Sequence, residues 1–335
     1  MAKEFKLEWG FGANFYPSTA INQLEMWQEE SFDEETIDRE LGFAEKIGMT
    51  YMRVYLHDLL WEQDREGFLK RMEKYLEIAD SHKIKTMFVF FDDCWSPVFA
   101  LGKQPDPKPF THNSGWIQSP GNKAADDLSQ RPRLEAYVKG VLTHFANDER
   151  IFLWDLYNEP GNGASGDHVT VSALREELSF PLLKDVFKWA RDINPSQPIT
   201  AAPWCYNREG FFAMNKFMYE NSDVITFHCY MDGENTEKRI KMIIDEYGDK
   251  KPLLCSEYMA RTAKSTFEAC LPIYKKYNIP AINWGLVSGK SQTIYPWSWT
   301  EEKGKPEFWF HDVFNQDGTL LYPEEGKVFE AVLKK

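Results

Sequence analysis

The sequence predicts one α/β domain closed as an eight-stranded (β/α)8 barrel, and three observations carry that prediction. Short apolar runs alternate with amphipathic stretches along all 335 residues, a pattern that implies parallel strands separated by helices. Eight such pairs can be counted, which suits a closed barrel of about this length better than an open sheet. No Ser/Gly linker or break in composition interrupts the chain, so residues 1–335 read as a single domain.

The elements follow in order. Residues 9–16 are apolar apart from Asn14 and stop at Pro17, giving the first strand. Asp33, Glu34 and Glu35 signal a helix start; Ile37, Leu41, Ala44 and Ile47 then recur at helical spacing up to the stop at Gly48. Residues 51–56 form the second strand, and Leu69, Met72, Leu76 and Ala79 mark the next helix. Residues 84–91 are almost continuously apolar, as in a strand buried on both faces. From 92 to 130 no period holds, and a loop of that length is a functional candidate. A helix face through Leu134, Val138, Val141, Leu142 and Phe145 precedes the fourth strand at 151–157. A long helix over about 172–193 comes next, then strands near 198–202, 223–228, 252–257 and 280–285. Helical patterns near 209–219, 235–247 and 264–277 separate them, and a second long aromatic loop (286–322) leads to a terminal helix around 324–334.

Composition narrows the function. With 39 basic against 52 acidic residues the formal charge is −13, and no basic block exists, which argues against nucleic acid and anionic membranes as partners. No run reaches the about 18 apolar residues of a membrane span. The first six residues lack the apolar stretch of a signal peptide, so a cytoplasmic place is expected for the chain as it stands, and a periplasmic or secreted one if a leader has been removed. Five cysteines, odd in number and never spaced CxxC, suit reduced thiols better than a zinc site or a disulfide set.

In an eight-stranded α/β barrel the reactive groups project from the C-terminal strand ends. Those ends carry Arg53 on strand two, with His57 and Asp58 beyond it; Asp92, Asp93 and Trp95 on strand three; and Asn158-Glu159-Pro160 on strand four. Strand six ends in His228-Cys229-Tyr230, strand seven in Ser256-Glu257-Tyr258, and strand eight in Asn283-Trp284. Two glutamates, each after an apolar run that holds it rigidly, suit glycosidic bond cleavage. That reaction needs one carboxyl group to protonate the leaving oxygen and another to attack or to activate water.

This ordered set, Arg53, Asn158-Glu159-Pro160, His228-x-Tyr230, Glu257 and Trp284, resembles the retaining (β/α)8 glycoside hydrolases, with family 5 and its close relatives the nearest pattern. The resemblance implies Glu159 as general acid/base, Glu257 as nucleophile and Asn158 as donor to the sugar 2-hydroxyl. It further implies that Arg53 and Tyr230 hold the nucleophile ionised, that His228 meets Glu159 or the sugar, and that Trp284 lies under the ring. Family 5 enzymes usually carry a His at the end of strand three, where this chain has Asp92-Asp93-Cys94-Trp95. The two carboxyl groups must differ in pKa, and Glu159, facing the charge of Glu257, is expected to be the raised one. Retention further requires the two groups to lie ~5–5.5 Å apart, against roughly 6.5–9.5 Å for inversion.

The expected activity is therefore retaining hydrolysis of β-linked neutral glycans (gluco-, manno- or xylo-type), with no cofactor and no metal. The substrate is an oligosaccharide or polysaccharide. Asp92 and Trp95 are expected to contact it, and Trp297 or Trp299 in the aromatic last loop to face it. The two long loops could wall the cleft into a pocket and favour attack at a chain end. Two alternatives stand beside this reading. One is a carbohydrate-binding barrel that has lost catalysis; the other is a nucleotide-dependent oxidoreductase resting on Gly161-Asn162-Gly163-Ala164-Ser165-Gly166, although the acidic partner Asp185 falls inside a helix. His57-Asp58 with Asp92-Asp93 lack metal-ligand spacing and read as loop anchors or sugar contacts.

Overall fold

The computed structural model describes residues 5–162, 168–206, 209–248 and 251–334. Its sheet has eight strands: β1 (Phe11–Asn14), β2 (Tyr51–Tyr55), β3 (Lys85–Asp92), β4 (Ile151–Asn158), β5 (Ile199–Ala202), β6 (Ile225–His228), β7 (Leu253–Glu257) and β8 (Ala281–Trp284). The order runs β5-β4-β3-β2-β1-β8-β7-β6 with every recorded pairing parallel, including β1 against β8. The remaining seam, β5 to β6, is closed largely by side chains. The Asp223 N–H donates to Ile199 O (2.8 Å), and the Thr200 hydroxyl reaches Val224 O (2.7 Å) and the Thr226 hydroxyl (2.9 Å). The result is the (β/α)8 barrel that the alternating pattern predicts.

Helices α1 (Gln23–Trp27), α2 (Glu34–Lys46), α3 (Asp58–Ser81), α4 (Asn122–Asp126), α5 (Arg131–His144), α6 (His168–Ile193), α7 (Phe212–Asn221), α8 (Gly233–Ile243), α9 (Phe267–Lys276) and α10 (Glu325–Leu333) connect and surround the strands. Two of them escape the sequence pattern: α4 lies in the segment that reads as a loop, and α1 in one to which the pattern assigns no element. Each has five residues, too few turns for a hydrophobic period to show. α1 nevertheless has a defined start, since the Asn22 side chain accepts from Glu25 N, and it buries Leu24, Met26 and Trp27.

Alternation along β2 sends Tyr51, Arg53 and Tyr55 to one face. Tyr51 joins Met87, Leu153, Val224, Leu254 and Ile282 in a small apolar cluster of its own, the plug at the N-terminal end of the barrel. Above it the interior turns polar, and that change creates the site. All five cysteines are unpaired, four of them buried. No helix among the described residues is long and apolar enough to cross a membrane.

The two long loops are ordered against each other. The loop after β3 is pinned at its base by bridges between Asp92 and Ser119 and between Ser96 and Ile117. Its tip meets the loop after β8: Asn113 N–H donates to Ser291 O (2.9 Å), His112 Nδ1–H to Tyr295 O (2.7 Å) and Gln292 Nε2–H to Lys108 O (2.6 Å). The loop after β1 joins them through Lys290 N–H to Ser18 O (3.0 Å) and Asn22 Nδ2–H to Gly115 O (3.0 Å). One arc of the rim is thus a continuous wall.

Two substitutions test this frame. At Gly12, on β1 opposite Tyr51, a Cβ would sit 1.7 Å from the Tyr51 carbonyl oxygen. Gly12→Ala should therefore lower stability by at least about 3 kcal/mol, the upper end for overpacking; an unchanged urea midpoint would contradict the close approach. Glu40 on α2 is buried, and its carboxylate receives the Ser18 N–H (3.0 Å) and hydroxyl. Burial outweighs those bonds and pushes its pKa from 4.5 up to about 7. The unfolded chain loses this proton first, so the group contributes stability that is full below the unfolded pKa and is lost as pH rises through the folded one. Glu40→Gln should gain about 3 kcal/mol on the native protein between pH 4.5 and pH 8, and a difference independent of pH would refute the neutral buried carboxyl.

Candidate active site

Two charges drawn into the barrel need compensation, and Arg53 provides it. The side chain is fully buried, yet its guanidinium reaches Asp155 (2.7 Å), Glu257 Oε1 (2.8 Å), Asn158 Oδ1 (2.6 Å) and Asn14 Oδ1 (2.9 Å). A planar fork with five donors can serve acceptors on three strands; a point charge cannot. Glu257 takes two further hydrogen bonds, from Tyr55 to Oε1 (3.0 Å) and from Tyr230 to Oε2 (2.8 Å). Burial raises both phenols well above their ordinary pKa, so both remain donors. The Glu257 carboxylate is thereby fixed with its charge matched.

Glu159 follows the end of β4 with φ at +45°, a left-handed backbone rare outside glycine that costs on the order of 1–3 kcal/mol. Its N–H is held by Ala202 O (2.8 Å), and its carbonyl accepts from Asn162 N (3.0 Å). Behind it, Asp93 accepts from Tyr157 (2.8 Å), Gly161 N (2.7 Å) and the Ser179 hydroxyl, anchoring the turn. The Glu159 carboxylate meets His228 Nδ1 at 2.5 Å, Asn162 Nδ2 at 2.6 Å and Cys94 Sγ at 3.2 Å. Burial and the surrounding carboxylates keep the Cys94 thiol protonated, so it donates. One oxygen of Glu159, one of Glu257 and a ring nitrogen of His228 lie within 4.8 Å of one another.

The sequence predicts a raised pKa for Glu159, and the structure corrects this. Burial does work to raise it, but the facing charge of His228 and the bonds from His228, Asn162 and Cys94 prevail and hold it below the ordinary glutamate value. Charge reasoning along the sequence counted Glu257 alone and could not see that His228 stands closer.

A cavity of about 580 Å³ opens above this pair. Trp95, Asn158, Glu159, His228, Tyr230, Glu257, Trp284, Trp297 and Trp299 all line it. Arg53 does not; it acts from beneath. Asp92, expected to contact substrate, is not there either. Its oxygens accept from Trp116 Nε1 (2.8 Å), Asn158 Nδ2 (2.9 Å) and Cys94 N (2.9 Å), which makes it a buttress of Asn158. The second Nδ2 hydrogen of Asn158 makes only a weak contact with Cys94 Sγ (3.4 Å), the one a hydroxyl could displace. Trp284 forms the floor against Tyr16, Tyr55 and Trp116, with its indole N–H unpartnered. Trp297 stands edge-on to Tyr230, ring centres 5.0 Å apart.

Residues not singled out from the sequence also shape the cavity: Cys94, His112, Asn113, Asn162, Trp204, Tyr206, Met231 and His311. The position where family 5 enzymes usually carry a His is taken by the turn that delivers Cys94 to Glu159. His57 and Asp58 lie apart from Glu159 and Glu257, with Asp58 bound to Arg133 (2.6 Å) and the Ser119 hydroxyl (2.8 Å) at the start of α3. Of the glycine-rich stretch, positions 163–166 fall outside the described residues; Gly161 and Asn162 serve Asp93 and Glu159. Removing Arg53 tests the buried charge cluster. Arg53→Met leaves Asp155 and Glu257 uncompensated and should cost about 3–5 kcal/mol in urea unfolding; an unaltered midpoint would show that the cluster does not hold the barrel interior.

Comparison with known proteins places this geometry. The sequence model of the cellulase domain, glycosyl hydrolase family 5, matches residues 27–290. No curated protein matches the chain. Among solved structures it is similar to an endo-1,4-β-D-mannanase from Thermotoga petrophila (16% identity, TM-score 0.59, 96% of this chain and 99% of that one). It is similar also to a Glu-to-Ala variant of GH5_18 from Streptomyces cattleya in complex with Manβ1-4GlcNAc (12%, 0.65, 97% and 80%). A third is the exo-β-1,4-mannosidase Op5Man5 from an Opitutaceae bacterium (14%, 0.60, 96% and 59%). Identities this low show the shared barrel. The family match runs from the end of α1 past β8 and takes in both glutamates, and on it the chain belongs to glycosyl hydrolase family 5.

Proposed function

We propose that this family 5 hydrolase removes single β-linked sugars, of the manno type, from chain ends with retention of configuration. The observation that carries the reading is the meeting of Glu159 and Glu257 oxygens within 4.8 Å at one cavity floor. Oxygens this close match the ~5–5.5 Å separation of the carboxyl groups in retaining enzymes better than the roughly 6.5–9.5 Å of inverting ones.

Glu257, oriented by Arg53, Tyr55 and Tyr230, attacks the anomeric carbon. Glu159, in its protonated form and held by His228, Asn162 and Cys94, gives its proton to the leaving oxygen. The ester on Glu257 is then hydrolysed by water that gives its proton back to Glu159, on the face the leaving group vacated. Two inversions restore the original anomer.

Chain-end action is supported by the wall. The acid belongs to the flank with Asn162, Trp204 and Tyr206, so the leaving group departs there. The sugar bound to Glu257 then lies toward the joined loops carrying Trp95, His112, Trp297 and His311. The manno assignment rests on neighbours that are a mannanase, a Manβ1-4GlcNAc complex and a mannosidase.

Hydrolysis of 4-nitrophenyl β-D-mannopyranoside followed by ¹H NMR tests the reading. β-Mannose should appear first and mutarotate later; α-mannose first would overturn retention. Chain-end action predicts equal early amounts of mannose and mannotriose from mannotetraose, and early mannobiose would contradict it. Glu257→Ala should abolish turnover in a protein that still folds, whereas residual hydrolysis near the parent rate would remove Glu257 as nucleophile.

A further inference from the structure

His311 lies in the loop after β8, fully buried, yet it lines the cavity. Its Nδ1 faces the carbonyl oxygen of Met259 at 2.5 Å. A carbonyl only accepts, so Nδ1 carries the ring proton. Burial and the nearby His112 hold the imidazole neutral, far below its usual pKa. Nε2 is then a bare lone pair, and it has no partner in the protein. A buried acceptor without a donor costs roughly 1–3 kcal/mol, so the fold keeps it for something that arrives.

The ring cannot turn to relieve this. Met259, two residues beyond Glu257, has φ at +73°, and its strained backbone points the carbonyl at His311. Arg261 N–H ties the same turn to Phe310 O (3.1 Å). Around the imidazole stand Tyr230, Trp297, Phe310 and His112, with ring centres 4.2–5.9 Å apart. His112, from the opposite loop, is fixed in the same tautomer by Tyr295 O. A second buried group of the cavity is orphaned with the opposite need: the Trp284 indole N–H seeks an acceptor. Hydroxyl groups satisfy both demands, whereas a carboxylate cannot donate to Nε2.

We propose that His311 is a specificity-determining residue, its Nε2 accepting a hydrogen bond from one ring hydroxyl of the terminal sugar enclosed by the joined loops. This deepens the chain-end reading above and rests on it. The chemical class selected is a neutral sugar, and a uronic acid whose carboxylate falls at that position is rejected.

The test compares wild type with His311→Phe on 4-nitrophenyl β-D-mannopyranoside and its 3-, 4- and 6-deoxy analogues. Wild type should lose about 10- to 100-fold in kcat/KM on one analogue. His311→Phe should show that loss already on the parent, with no further loss on the same analogue, while its response to the other two deletions matches wild type. His311→Gln, which keeps an acceptor oxygen, should retain a preference at that hydroxyl. Equal tolerance of all three deletions by wild type, or an undiminished hydroxyl preference in a folded His311→Phe, would overturn the assignment. The anomer released first reports separately on the reading beneath it: β-mannose with undiminished preference in His311→Phe removes only the role of His311.

Discussion

Arg53 is the constraint on which the rest of this structure depends. One cation, wholly withdrawn from water, holds Asp155, Glu257, Asn158 and Asn14 on three strands of the same barrel. Burying a charge is tolerable only where partners replace water. The carboxylates that satisfy Arg53 are equally satisfied by it, so the polar core and the placing of Glu257 have one cause. From Asn158 the network continues to Asp92 and Trp116, and through Cys94 to Glu159. Displacement at any strand would be felt at both glutamates.

A different economy governs the rim. The loops after β1, β3 and β8 hold one another by backbone hydrogen bonds and aromatic contacts, with an ion pair from Lys290 to Glu25 (2.5 Å) on the outside. They enclose an interior whose remaining polar atoms are neutral: indole N–H, imidazole nitrogen and phenol. The carboxylates of the cavity lining are Glu159 and Glu257 among the described residues, and the rest of the lining offers hydroxyl-sized contacts.

The strand ends were legible in the sequence because a buried apolar run fixes where its last polar residue emerges. Arg53, Glu159, His228, Tyr230, Glu257 and Trp284 all follow such runs. Tyr55 could have been read the same way, since it lies two residues from Arg53 and shares its face. His112 and His311 could not, because their loops have no period and their partners, Tyr295 and Met259, are remote in sequence. The charge state of Glu159 was hidden for a related reason: it depends on which side chain from across the barrel stands nearest, and that is His228 of β6 at 2.5 Å. Asp92 shows the converse, a strand-end carboxylate with the right address whose oxygens are already used by Trp116, Asn158 and Cys94 N.

The account turns on Glu257 becoming covalently bonded to the sugar. A 2-deoxy-2-fluoro-β-D-mannosyl fluoride slows both steps and the second more, so the intermediate accumulates and survives proteolysis for peptide mass spectrometry. The account predicts one added fluorosugar, located on the peptide containing Glu257 and absent from the Glu257→Ala protein. A label on Glu159, or none while the fluoride is still consumed, would contradict it.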